Sequence, residues 1–228
     1  MKRRFFGPAI AITIACVLPV LSGWTVVDAQ SPGATQTPEQ VKERWNKQFA
    51  GDLQNLNREP STLLVGAIKG VRPGKALDLG TGEGRNAIYL AEQGWTVTGV
   101  DLSDVAVGLA KKNAAARNVV IDAIVSDLDE FELGKEQWDL IASFYMHAWH
   151  DRSKTDVPAR IYDALKPGGL VVMEGFAKPE VPFGFDAAQL KKAFHRFRVL
   201  RSESVTAKAD WDKDNDRHIV RFVAQKID

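Results

Sequence analysis

From Lys75 to Phe176, short apolar runs alternate with stretches in which apolar positions recur every three or four residues. That alternation of two periods is the signature of parallel strands joined by crossover helices. It predicts strands over 75–79, 96–100, 120–125, 138–145 and 169–175. Between them "GRNAIYLAEQG" reads as a helix ended by Gly94. "SDVAVGLAKKNAAARN" reads as a helix capped by Ser103, and "DVPARIYDALKPGG" as one ended by Pro167 and the glycines after it.

On the amino-terminal side, "PEQVKERWNKQFAG" places Val41, Trp45 and Phe49 four apart behind Pro38, the pattern of an amphipathic helix. A second helix is expected from Ser61, carrying Leu63, Leu64 and Ile68 until Gly70 stops it. On the carboxyl side, "FRVLRSESVTAK" and "RHIVRFVAQK" are β-rich and flank the polar "ADWDKDND", read as a turn. Ile219, Phe222 and Val223 are too apolar to leave in water, so this pair reads as an antiparallel hairpin added to the sheet. The expected class is α/β, a Rossmann-like doubly wound sheet that is mostly parallel.

The first thirty residues stand apart from this pattern. Lys2, Arg3 and Arg4 precede an almost wholly apolar Phe5 to Leu21, and Val27 and Ala29 supply the small residues of a cleavage site. Residues 1–29 are read as a signal peptide, with an uncleaved membrane anchor as the alternative and a lipid-attached Cys16 a distant third. Residues 30–37 are then a linker, and 38–228 one domain. The expected location is periplasmic or secreted, or membrane-anchored if the segment stays.

Composition narrows the partners. The 228 residues are 45% hydrophobic and 26% charged with a formal charge of +1, which suits a globular domain and gives no electrostatic case for nucleic acid. Removing residues 1–29 would also remove the only cysteine, which suits an oxidising compartment and excludes a thiolate nucleophile from the mature chain. A monomer is expected.

Candidate chemistry gathers at the carboxyl ends of the predicted strands, where open α/β sheets bind ligands. Asp78, Gly80, Gly82 and Gly84 follow the first strand, Asp101 ends the second, Asp127 follows the third, and "SFYMHAWHD" closes the fourth. A carboxylate ending strand two suits a ribose with both hydroxyls free, as in NAD and S-adenosylmethionine alike. The spacing D-x-G-x-G-x-G departs from the dinucleotide G-x-G-x-x-G. Two carboxylates near the turn, Asp78 and Glu83, would repel a pyrophosphate but tolerate an ammonium and a sulfonium.

"ALDLGTGEGRNAIYLAEQGWTVTGVDLS" resembles the first two motifs of class I S-adenosylmethionine-dependent methyltransferases. "VSDLDEF", "WDLIASF" and "LKPGGLVVMEGF" resemble the third, fourth and fifth, and the wording is most similar to the tellurite-resistance and thiopurine methyltransferase-like branch. The resemblance implies the seven-stranded fold of that class and S-adenosyl-L-methionine as cofactor. It further implies that Gly80, Thr81, Gly82 and Gly84 let the backbone approach the methionine part while Asp78 helps hold its amino group. Asp101 would bind the ribose, with Leu102 against the adenine. Asp127 would bond the adenine amino group, with Leu128 beside the ring, and Ser143 of the fourth motif would complete the lining. Arg85 and Asn86 would anchor the turn. Asp127 also reads as a turn cap.

Methyl transfer from a sulfonium is an in-line displacement, and a base is needed only if the acceptor is not already ionised. His147, His150 and Tyr145 are the candidates to position or deprotonate an acceptor, and Trp149 offers an aromatic wall. The histidines read equally as caps of the following helix. A metal held by His147, His150 and Asp151 is weighed and set aside. The helix bearing Trp45 and Phe49 stands where such enzymes often place a lid, although aromatic residues at helical spacing also serve plain core packing. The reading is a methyltransferase acting on a small molecule. A non-catalytic adenosyl-ligand binder and an NAD-dependent oxidoreductase are the alternatives.

Overall fold

The computed structural model describes residues 36–51, 59–178, 180–209 and 212–227, so residues 1–35, including the expected signal peptide and most of the linker, lie outside the described residues. Seven strands form one sheet in the order β3-β2-β1-β4-β5-β7-β6. They are β1 (Lys75–Leu79), β2 (Thr96–Asp101), β3 (Asp122–Val125), β4 (Trp138–Phe144), β5 (Leu165–Phe176), β6 (Phe197–Ala209) and β7 (Asp212–Lys226). All neighbours from β3 to β5 are parallel, and β7 runs antiparallel between β5 and β6. This is the expected α/β architecture with its carboxyl-terminal hairpin.

The helices are α1 (Pro38–Ala50), α2 (Thr62–Ala67), α3 (Arg85–Glu92), α4 (Asp104–Ala116), α5 (His147–Arg152), α6 (Val157–Ala164) and α7 (Ala187–Ala193). Because side chains alternate along a strand, β1 sends Leu77 and Leu79 to one core and Ala76 to the other. The first core includes Ile161 of α6 and Leu190 of α7, and the second includes Leu64, Ala87 and Ala110 of α2, α3 and α4. Ile219, Phe222 and Val223 are buried as their apolarity demands. Chain order reverses between β1 and β4, which opens the ligand crevice at their carboxyl ends.

Three boundaries differ from the sequence expectation, each for a local reason. Helix α6 stops at Ala164, before Pro167, because Leu165 already pairs with Trp138; residues 166–169 form an irregularity in β5. The polar "ADWDKDND" is not one long turn, since β6 runs to Ala209, β7 starts at Asp212, and Lys208 pairs with Asp216 across the hairpin. Strand β4 ends at Phe144 because Tyr145 adopts a left-handed φ of 58°. Ala177 bridges Phe185, and Asp186 caps α7 through bonds from the amides of Ala188 and Gln189.

Candidate active site

The turn between β1 and α3 is built on three left-handed glycines, Gly80, Gly82 and Gly84, at φ of 73°, 55° and 90°. Side chains rarely adopt that region. The turn is tied to β2 by bonds from the amides of Gly80 (2.8 Å) and Thr81 (3.0 Å) to the Val100 carbonyl. Thr81 donates to Asp78 Oδ2 at 2.9 Å. It has room to do so because Gly99 of β2 lacks a Cβ, which would stand 2.7 Å from Thr81 Oγ1. No motif in the sequence signals that role for Gly99.

Asp78 is buried, and its carboxyl is pushed up to about 6. Burial is the main cause. Thr81, Arg85 and the Ala87 amide oppose it, and the neighbouring Asp101 adds to it. Asp101 accepts the Gly82 amide (2.9 Å) on one oxygen and the Ser103 amide (2.8 Å) on the other, while burial raises it as well. Asp127 Oδ1 accepts the Asp129 amide at 2.9 Å, so the turn-capping role is present. Leu128 is buried in the core shared by α6 and α7. Leu102 is half-buried beside Asp101.

Arg85 and Asn86 act as anchors. Arg85 donates to the Glu59 carbonyl and Asn86 accepts the Ser61 amide, fastening the start of α2 to the first turn of α3. Glu83 departs from its expected place beside the ligand. It lines a cavity of about 140 Å³ with Arg85, Asn113 and Arg117, between α3 and α4. The repulsion expected of a pyrophosphate therefore falls to Asp78 and Asp101.

Helix α1 covers the turn. Asn46 accepts from Ser103 Oγ (2.6 Å) and donates to Asp104 (2.9 Å), Lys42 pairs with Asp104, and the Phe49 ring stands 3.3 Å from where a Gly82 Cβ would be. Trp45 packs on Phe49 with ring centres 6.0 Å apart and stays partly exposed. On the other flank, a Cβ at Gly80 would overlap the Met146 thioether.

Near the end of β4, Ser143 is fully buried and lies 3.2 Å from His150 Nε2. His147 and His150 sit on α5, and aromatic rings enclose them. His147 stacks on Phe183 (5.7 Å, 7° between planes) and meets Phe176 and Phe185 edge-on, and His150 meets Trp149 and Phe185. Burial lowers His147 to about 4, and burial reinforced by His147 lowers His150 to about 3. His147 Nδ1 is buried with no hydrogen-bond partner among the described residues. Neither imidazole is protonated at neutral pH, and neither is a strong base there. Tyr145 donates its amide to the Glu174 backbone carbonyl (2.6 Å) and its hydroxyl to the wholly buried Glu174 carboxylate (2.9 Å), which also accepts from Arg221 Nε at 2.8 Å. Glu174 and Asp129 were not singled out by the sequence, because only the fold brings them to this loop. Asp151 is exposed, so the three residues weighed for a metal do not converge.

These residues fit an S-adenosyl ligand. The turn offers backbone without side chains at Gly80 and Gly82, the Asp78 carboxylate is buried beside it, and Asp101 and Asp127 lie at the ends of adjacent strands. Residues 76–169 match the family described as a methyltransferase domain. Over those residues the chain is similar to methyltransferases. Among its relatives, a ribosomal RNA small subunit methyltransferase C of Alcanivorax borkumensis is 33% identical over 63% of this chain and 47% of that protein. A probable S-adenosyl-L-methionine-dependent methyltransferase TehB of Haemophilus influenzae is 24% identical over 70% of this chain and 58% of its own. The crystal structure of Haemophilus influenzae TehB superposes with a TM-score of 0.64 at 19% identity, covering 80% of this chain and 67% of that one. The chain spans about half the length of the first curated relatives it matches. The name of the Haemophilus influenzae relative gives S-adenosyl-L-methionine as its cofactor.

Proposed function

We propose that this protein moves a methyl group from S-adenosylmethionine to a small-molecule acceptor whose nucleophilic atom is already ionised. The observation that carries the cofactor half is the triple-glycine turn flanked by Asp78, Asp101 and Asp127. When bound, the cofactor supplies an electrophilic methyl on a sulfonium, and the chain's task is to align and to exclude water.

Gly80 and Gly82 let the backbone reach the methionine part, and Asp78 offers its buried charge to the ammonium. Asp101 takes the ribose and Asp127 the adenine amino group. Helix α1 closes over the turn through Phe49 and Asn46. Met146, with three rotatable bonds, turns away from Gly80 as the site fills.

The acceptor half rests on the α5 surroundings. Phe176, Phe183, Phe185 and Trp149 surround His147 and His150 with apolar surface, which favours a small apolar molecule beside α5, and the near-neutral charge gives no support for a polyanionic acceptor. With His147 and His150 held near 4 and 3, deprotonation by an imidazole contributes little at neutral pH, so the acceptor brings its own negative charge. His147 orients the acceptor instead.

Calorimetry on the full chain tests the cofactor half. S-adenosylhomocysteine should bind, and Asp101→Ala should weaken binding at least tenfold; no binding to the parent protein overturns the reading. A panel of thiolates, oxyanions and amines tests the acceptor half. Rates should follow ionisation of the acceptor, and a rate that instead follows an enzyme group near pH 6.5 would rule out the ionised-acceptor mechanism.

A further inference from the structure

Asp129 takes no part in the reading above, yet it stands where the cofactor turn and the acceptor helix meet. Its Oδ1 accepts two bonds from the α5 region, from Trp149 Nε1 at 2.8 Å and from Ser153 Oγ at 2.6 Å. Its amide donates to Asp127 Oδ1 at 2.9 Å. Burial works against its charge, but the bonds from Ser153 and Trp149 outweigh it and hold the carboxyl below the usual range. Bonds to an ionised acceptor are shorter and roughly twice as strong as neutral ones.

Helix α5 needs such a tether. It has six residues and no side-chain cap at Met146, and helices that short are unstable without tertiary support. His150 ties α5 to the sheet through Ser143. The turn that carries Asp129 is itself gripped from α6, since Arg160 donates to the carbonyls of Leu128 (2.9 Å) and Phe131 (2.7 Å). Ser153 continues the network to Thr155 (2.8 Å), whose hydroxyl accepts from Arg160 at 3.1 Å.

We propose that Asp129 is a positioning residue that locks α5, and with it His147 and His150, to the turn holding Asp127, so that occupation of the adenine site sets the acceptor wall. The inference rests on the cofactor reading, because Asp127 must meet the ligand for the coupling to operate. A shift of Asp127 moves the Asp129 amide bonded to it, and the Asp129 carboxylate carries that shift to Trp149 and Ser153.

The test uses the full chain labelled with ¹⁵N and S-adenosylhomocysteine as probe. In the parent protein, the ligand should shift the Trp149 indole N–H resonance and slow hydrogen exchange across His147–Ser153. Asp129→Ala should keep affinity within about threefold, speed exchange over those residues by at least tenfold, and abolish the ligand-linked protection. Asp129→Asn, whose side-chain oxygen still accepts both bonds, should restore that protection. Full protection in Asp129→Ala overturns the proposal, as does failure of Asp129→Asn to restore it. If Asp129→Ala does not fold, Trp149→Phe with Ser153→Ala removes both donors and must reproduce the loss. Absence of binding to the parent protein overturns the cofactor reading itself, a result distinct from binding without coupling.

Discussion

The thioether of Met146, the residue that opens α5, lies against the bare face of Gly80 at the centre of the glycine turn. Gly80 therefore serves two ends at once: its φ of 73° is open to glycine, and its missing Cβ leaves room for Met146 or for a ligand in its place. Gly80→Ala should destabilise the protein by about 2 kcal/mol through backbone strain and overpacking. Adding Met146→Ala should recover the packing part and leave the strain. Urea unfolding midpoints of the two single variants and the double variant measure both parts.

Asp78 should trade stability for binding. Its folded carboxyl is raised to about 6 from 3.8, so between those values the folded state holds a proton that the unfolded state has released. Its contribution to stability thus falls as pH rises from about 4 to 6 and is least favourable above 6. Asp78→Asn should raise stability at pH 7.5 by about 2 kcal/mol and weaken S-adenosylhomocysteine binding about tenfold. Calorimetric melting and titration of the same preparations check the two signs together.

The two α5 histidines act in the opposite sense. Both are lowered, to about 4 and about 3 from 6.5, so the unfolded state takes up protons first as pH falls. Their contribution is complete above pH 6.5 and is lost progressively as pH drops from there toward 4. A variant with His147→Phe and His150→Gln should show a flatter fall in denaturant midpoint over that window than the parent protein. The measurement is a urea series at half-unit pH steps.

Glu174 should be costly to remove. It is wholly enclosed, paired with Arg221, and bonded by the hydroxyl of Tyr145. Glu174→Ala leaves the guanidinium without its buried partner and should cost about 3–5 kcal/mol. Tyr145→Phe should cost only about 1 kcal/mol. A double-mutant cycle on stability should show that the two effects are coupled.

Asn46 tests the cover over the site. Its bonds to Ser103 and Asp104 hold α1 against the start of α4. Asn46→Ala should lower S-adenosylhomocysteine affinity by about three- to tenfold while shifting the melting temperature little. Dissociation rates from stopped-flow fluorescence should account for most of that loss.

Much of this was written along the chain. The two periods between Lys75 and Phe176 determined the parallel strands and their helices. The glycine spacing with Asp78, and the acids ending the next two strands, determined the kind of ligand, because turn geometry and strand ends are local properties. The apolar positions of the last strand demanded a place in the sheet. The ends of elements were less legible. Leu165 joins β5 because Trp138 lies opposite, and "DKDND" extends β7 because β6 is there to pair with it.

The tertiary structure alone decided what each site residue is able to do. The imidazoles of His147 and His150 look like bases in the sequence, and only the aromatic rings around them hold them neutral. Glu83 belongs to the glycine turn but faces a different cavity, and Glu174, Gly99 and Asp129 become site residues only when distant strands and helices converge. Proton affinity and orientation depend on what surrounds a group in space, and residues far apart in the chain supply those surroundings.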